Sequence, residues 1–483
     1  MLIEVRPVAR LRGPKAVDVA GPLTELLDVL KGSDVDLAKV RVVCDWIQYK
    51  HNFRGVVDVR QIAPGTPDEE LEIAVDLRRT GEGSLAAETT ALLAGKGDPA
   101  GRVWLDTWSP GSEGCMWAFN RLYWLYLQLW EKATGHEYES TLPGGSSDAT
   151  NSGSVRELIA DLVKSWDDLA QRQSLPDELY VVELGVGNGN QAKAWLDEFR
   201  TVDQENGRGY YRRLHYLMCD YSPHVLDIAR TTVGDHGDHV SSLVLDATTP
   251  TTALGFLRYK VFLVYISNVY DNLPCDEVVN IGGQPFRVDT RAYLTAESAA
   301  EISESTGVPV GELPGLVQKL LQIGPELLAE AMPTCFAGTD AAVDFWRRTW
   351  QGLQRAERFV PLPGLDSYAI TPALSGEMLR PLLDAYGDVR INVNNGAVAS
   401  FADTLPLLHP FGRLVCHDLF ITDVGQSRTG FRGPGKYDGS VVNWVNGPLL
   451  AHIGSRKGMD VRFAPFAHRE GTNITTMTAQ VRD

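Results

Sequence analysis

Cysteine is scarce and never closely spaced: Cys44, Cys115, Cys219, Cys275, Cys335 and Cys416 stand singly across 483 positions. That pattern excludes a disulfide-stapled scaffold and the paired spacings of a zinc site, and it predicts buried thiols in a reducing, cytoplasmic setting. Positive charge is also short. With 45 Lys and Arg against 62 Asp and Glu, the net charge of −17 argues against nucleic acid or anionic membrane as a partner, because phosphate binding needs clustered cations. Long apolar runs are missing too. The most apolar long stretch, 115–130, contains Asn120 and Arg121 and is too short for a bilayer crossing, so no membrane span is expected. Glu4 and Arg6 interrupt the start, and no signal peptide is predicted.

What is present is enough apolar side chain, 44% of residues, to bury a full core, in a chain long enough for two or three domains. Residues 1–110 read as a separate small α+β unit: Pro22 to Leu30 and Asp36 to Gln48 have helical periodicity, while Gly55 to Ile62 and Leu71 to Leu77 alternate like strands. Glycines and prolines between 82 and 113 suggest a linker. A helix with Phe119, Tyr123, Tyr126 and Trp130 on one face follows, and that spacing reads as core.

The densest signal lies at 178–190, Glu-Leu-Tyr-Val-Val-Glu-Leu-Gly-Val-Gly-Asn-Gly-Asn. An apolar run breaks into Gly185, Gly187 and Gly189 before an amphipathic segment, which predicts strand, tight turn and helix. Glycine there permits backbone angles closed to other residues and lets a ligand approach the main chain. A dinucleotide fingerprint would want a glycine where Asn190 stands, and Glu183 would repel a phosphate. An acid followed by such a loop suits a cationic ligand without phosphate, such as S-adenosylmethionine (SAM). A second strand, Leu214 to Cys219, ends in Asp220-Tyr221, where a carboxylate can accept ribose hydroxyls; a third, Ser241 to Leu245, ends in Asp246-Ala247, placed to pair with adenine. A fourth, Val261 to Ile266, ends in Ser267-Asn268-Val269-Tyr270-Asp271-Asn272, polar groups beside the expected sulfonium. Acids at the carboxyl ends of successive strands face one crevice in open α/β sheets. Upstream, the polar loop at 143–150 offers Ser147, Asp148 and Thr150 as a flap over the cofactor, or as a cap for the helix after it.

These motifs resemble the MidA-like family of SAM-dependent methyltransferases, whose mitochondrial member is a complex I assembly factor that methylates a protein arginine. The resemblance covers residues from about 118 to 480. It runs through Ser147-Asp148-Ala149-Thr150, Glu157-Leu158-Ile159-Ala160, Glu183 to Gly189 and Asp220-Tyr221-Ser222. A family Asn-Glu-x-x-Asp-Ala-x-Pro signature falls on Ser267 to Pro274, keeping Asp271 and Pro274; a late Gly-x-Leu-x-x-x-Asp falls on Gly412, Leu414 and Asp418; and Trp444 stands where the family has histidine. The resemblance implies a class I, Rossmann-like α/β fold with a helical, acceptor-covering insertion at 284–386, between a cofactor-binding half at 111–283 and a closing part at 387–483. Trp346, Trp350, Phe359 and Tyr368 are candidates to line the acceptor pocket, or to be core.

The chemistry this predicts is displacement of the SAM methyl by a nitrogen or oxygen of a protein, peptide or small-molecule acceptor, leaving S-adenosylhomocysteine. Asp271, Asp418 and His417 are the candidate bases and Asn268 the positioning group. A non-catalytic SAM-binding assembly scaffold is the alternative. The N-terminal unit is read as a packing or dimerising appendage, with a substrate-recruiting domain as the alternative, which leaves a homodimer open. His236-Gly-Asp-His239 has too loose a spacing for a metal and reads as a solvated turn.

Overall fold

The computed structural model describes residues 1–6, 11, 16–49, 51–81, 83–95, 101–138, 151–427 and 433–482. The chain divides into two compact units, each assembled from three segments: 1–135, 274–393 and 423–444 make the first, and 136–273, 394–422 and 445–483 the second.

The second unit holds a seven-stranded sheet: Leu179–Leu184 (β1), Leu214–Asp220 (β2), Val240–Val244 (β3), Val261–Ser267 (β4), Leu408–Asp418 (β5), Met459–Pro465 (β6) and Thr475–Val481 (β7). Their spatial order is 3-2-1-4-5-7-6, parallel except for β7, which runs antiparallel to both neighbours. This is a class I, Rossmann-like sheet, with β1 at the point where the order reverses. All but one position of each of β1 and β4 are buried, as strands covered on both faces must be, which is why they read as continuous apolar runs. Helices Ser152–Gln171 (α1) and Asn190–Asn206 (α2) supply Trp166, Trp195 and Phe199 to the core; Trp166 stands edge-on to Phe199, Tyr210 and Phe262 at 5.7 to 5.8 Å. Asn151 caps α1 by accepting from the Gly153 and Ser154 amides.

The first unit is built differently from the expected 1–110, 111–283, 284–386 and 387–483 division. Its ten-stranded sheet joins strands Leu2–Val5, Val40–Asp45, Glu70–Asp76 and Val57–Ile62 to Gln354–Pro361, Gln284–Leu294, Glu277–Ile281 and Val389–Asn392. The junction is parallel, Arg358 beside Gln61 and Phe359 beside Ile62, and Ile62, Val288 and Phe359 share one apolar cluster. The N-terminal stretch is therefore not a separate domain, and the supposed helical insertion contributes central strands as well as helices Leu313–Ala331 and Thr339–Gly352. Asp36 to Gln48 is corrected likewise: after one turn at Leu37–Lys39 it is the strand Val40–Asp45, paired in parallel on both sides. Tertiary pairing overrides a marginal helical period in a Val-rich segment. The proposed linker contains the helix Leu85–Ala94, capped by Ser84.

The four candidate pocket aromatics, Trp346, Trp350, Phe359 and Tyr368, are all buried in this unit; Tyr368 donates to Asp276 at 2.7 Å and Trp350 to the Asp438 carbonyl at 2.8 Å. They are core. Among the described residues no helix is long and apolar enough to cross a membrane.

Candidate functional site

Gly185, Gly187 and Gly189 all have left-handed φ, 79°, 56° and 83°. Their surroundings differ. A Cβ on Gly185 would lie 2.3 Å from Val269 Cγ2, and one on Gly189 2.8 Å from the Ala229 backbone, whereas one on Gly187 would meet nothing within 4 Å. Two glycines are thus consumed by packing, and the middle one leaves open space over the main chain.

Asp220, at the end of β2, touches this loop. Its Oδ2 accepts from the Gly187 amide at 3.1 Å and its Oδ1 from Ser222 at 3.0 Å. Burial raises its pKa, partly countered by these backbone donors. Tyr221 beside it is half-buried; Asp246, after β3, is exposed and accepts from Thr248, and Ala247 is half-buried. Ser147, Asp148 and Thr150 lie outside the described residues.

Glu183 departs from its expected role as a charged, ligand-facing acid. It is buried on β1 and accepts from the Tyr216 phenol at 2.6 Å; burial, the largest effect, raises its pKa to about 8, so the carboxyl is largely protonated at neutral pH. The unfolded chain loses this proton near pH 4.5 and the folded chain near 8, so stability falls as pH rises through that window, by up to about 1.4 kcal/mol per pH unit. Glu183→Gln is therefore expected to equal the parent near pH 4 and to melt progressively higher than it towards pH 8; a gap independent of pH in thermal melts would contradict this.

Beyond β4 the chain turns sharply. Asn268 has φ 52° and its amide donates to the His417 carbonyl at 3.0 Å. The turn is held by Asp418, whose Oδ2 accepts from the Val269, Tyr270 and Asp271 amides at 3.1, 2.8 and 3.4 Å while Oδ1 accepts from Leu419 at 2.7 Å. Asp271 and Asp418 are both buried and hydrogen-bonded to each other. Burial and the Asp418 charge raise the Asp271 pKa well above the carboxylate range; Asp418, also raised by burial, is held lower, to about 6, by its backbone donors. Asp418 is thus an anion that fastens a turn, and Asp271 keeps the proton.

His417 points from the opposite face of β5, as strand alternation requires. Its Nδ1 contacts Thr476 Oγ1 at 2.9 Å and its Nε2 Ser154 Oγ at 3.4 Å, and burial lowers its pKa to about 4. The structure brings Asn268, Asp271 and Asp418 together and leaves His417 apart, with both ring nitrogens engaged.

Among the described residues, the buried polar groups at this end of the sheet that have no protein partner include those of Ser267 and Gln191. The Ser267 hydroxyl, at the end of β4, lies one residue past Ile266, which pairs with Leu184. The Gln191 amide, in the first turn of α2, has neither its Oε1 nor its Nε2 satisfied although the residue is only 5% exposed. Gln191 carried a legible signal: it precedes Trp195 by four residues and so lies along the stripe that becomes the buried face of α2. His236 also departs from expectation. Instead of a solvated turn it is fully buried, bridging the Tyr211 hydroxyl at 2.6 Å and Asp197 at 3.0 Å. Among the described residues no group of three or more His, Cys, Asp or Glu is placed to hold a metal.

No family model matches this chain, and no curated protein matches it. Among solved structures it is similar to a Burkholderia thailandensis protein, a candidate methyl transferase bound to S-adenosyl-homocysteine, at 15% identity over 82% of this chain and 91% of that one, with a TM-score of 0.43. It is similar as well to an uncharacterized Burkholderia thailandensis protein, at 13% identity over 82% and 90% with a TM-score of 0.42. The DszA carbon methyltransferase resembles it at 13% identity over 88% and 75%, with a TM-score of 0.34.

Proposed function

We propose that this chain is a SAM-dependent methyltransferase acting on a nitrogen or oxygen of a protein, peptide or small-molecule acceptor. The observation that carries the reading is the 3-2-1-4-5-7-6 sheet whose reversal point bears a glycine loop with open space at Gly187, flanked by Asp220 and by unpartnered Gln191 and Ser267. A ligand carrying donors and acceptors would satisfy both side chains. In this reading Asp220 accepts the ribose hydroxyls, Asp246 and Ala247 meet the adenine, and the loop carries the rest. Bound SAM supplies a methyl group already activated by the sulfonium charge. The residues then contribute proximity and alignment, effects worth roughly 7 to 11 kcal/mol in well-oriented reactions. Asn268, set in its left-handed turn by Asp418, is the group left to orient the acceptor.

The engagement of Asp418 with four amides and of both His417 nitrogens withdraws two of the three candidate bases, and Asp271 holds its proton. That favours an acceptor that arrives unprotonated, and it also sustains the second reading, a SAM-binding assembly scaffold. Incubation with SAM and a panel of peptides and metabolites separates the two. Release of S-adenosylhomocysteine with a one-methyl mass increase in an acceptor is the expected result; SAM binding with neither product would favour the scaffold, and no binding would remove both.

A further inference from the structure

We infer that Gln191 is the residue that reads the amino-acid end of the cofactor, with the Ser267 hydroxyl as a second contact. The inference rests on the cofactor reading above and assigns a subsite to a side chain with no other evident purpose. Neighbouring strands of a sheet lie 4.7 to 4.9 Å apart. A nucleoside with its adenine at the end of β3 and its ribose at the end of β2 therefore sends its 5′ substituent past β1 towards β4, following the observed order 3-2-1-4. Ser267 ends β4 and Gln191 opens the helix that follows β1, so both stand at the far end of that path.

The chemistry matches. A methionyl end carries one carboxylate and one ammonium; a primary amide has two N–H donors for the first and a carbonyl acceptor for the second. Gln191 is 95% buried by exposure and both halves of its amide lack partners, while the Ser267 hydroxyl offers another donor and acceptor. Glu183 is not available for the ammonium, being occupied with Tyr216. In the ligand-free protein an unsatisfied amide costs stability. An apolar replacement that fits the space should relieve that cost while removing recognition, the opposite of what a packing glutamine would do.

Isothermal titration of the full chain with S-adenosylhomocysteine and with 5′-methylthioadenosine, which lacks the amino-acid end, tests this together with ligand-free thermal melts. The parent should bind S-adenosylhomocysteine more tightly than the truncated nucleoside. Gln191→Leu should weaken S-adenosylhomocysteine by about 10-fold or more, leave 5′-methylthioadenosine within about 2-fold and melt no lower than the parent. Gln191→Glu, which keeps the size, should lose S-adenosylhomocysteine selectively by setting a negative charge against the carboxylate, and it serves if the leucine variant does not fold. Unchanged S-adenosylhomocysteine affinity, or equal loss of both ligands with a lowered melting temperature, would overturn the assignment. Failure of the parent to bind either nucleoside would instead sink the cofactor reading, and the assignment with it.

Discussion

Replacing Glu357 by alanine is expected to destabilise the first unit by about 3 to 5 kcal/mol, a large part of the 5 to 15 kcal/mol that typically holds a domain together. Glu357 lies on the central strand Gln354–Pro361, 2% exposed, and four guanidinium groups converge on it. Arg54 donates to both oxygens at 2.9 to 3.2 Å, Arg390 Nη1 lies at 2.9 Å, Arg60 Nε at 3.0 Å and Arg355 Nη2 at 2.5 Å. Burial alone would raise the pKa of this carboxyl, but Arg390, Arg54, Arg60 and Arg355 override it and hold it well below the usual range. Glu277, Glu72 and Asp58 balance part of the cluster, through Arg390, Arg355 and Arg60. Removing Glu357 leaves four buried cations facing one another with their shared acceptor gone. Such a lattice is weak evidence of net stabilisation, because burying the ions was itself costly; breaking it from one side is what is expensive. Glu357→Gln, which preserves an acceptor oxygen but no charge, should fall between. Urea unfolding followed by circular dichroism measures both, and a loss below about 1 kcal/mol for the alanine variant would contradict the geometry.

The three glycines of the loop should separate folding from binding. In Gly189→Ala the new Cβ would meet the Ala229 backbone at 2.8 Å with φ at 83°, so neither partner can yield cheaply, and a loss of about 3 kcal/mol or more is expected. Gly187→Ala meets nothing and bears only the left-handed penalty, about 1 to 2 kcal/mol, so the protein should remain folded. Its Cβ nevertheless fills the space over the main chain, and S-adenosylhomocysteine affinity should drop at least about 10-fold, since displacing a close-packed ligand by even a methyl group costs over 1.4 kcal/mol. Equal stability of the two variants, or unchanged affinity in folded Gly187→Ala, would contradict the division of labour proposed for the loop.

The second unit was legible because its signals are local. A central parallel strand is one unbroken apolar run, and a glycine loop is a contiguous pattern; β1, β2 and β4 were therefore readable within a few residues. The first unit was not. Its sheet joins Ile62 to Phe359 across about 300 positions, and nothing in either neighbourhood announces a partner so far away. Its Arg and Glu residues look like solvated strand faces until the sheet is assembled and they turn out to be buried together. Site roles failed for a related reason. Asp220 was readable from its place at a strand end, but whether Asp418 is a base or a turn fastener depends on four amides contributed by residues 269–271 and 419. His236 looked solvated because Tyr211 and Asp197, its partners, lie 25 and 39 positions away.

Soaking crystals of the chain with S-adenosylhomocysteine decides whether one crevice at the carboxyl ends of β1 to β4 holds the cofactor. Density is expected with the ribose hydroxyls on Asp220, main-chain contact at Gly187 and the amino-acid end at Gln191 and Ser267. Density at any other location, with this crevice filled by protein side chains, would contradict that placement.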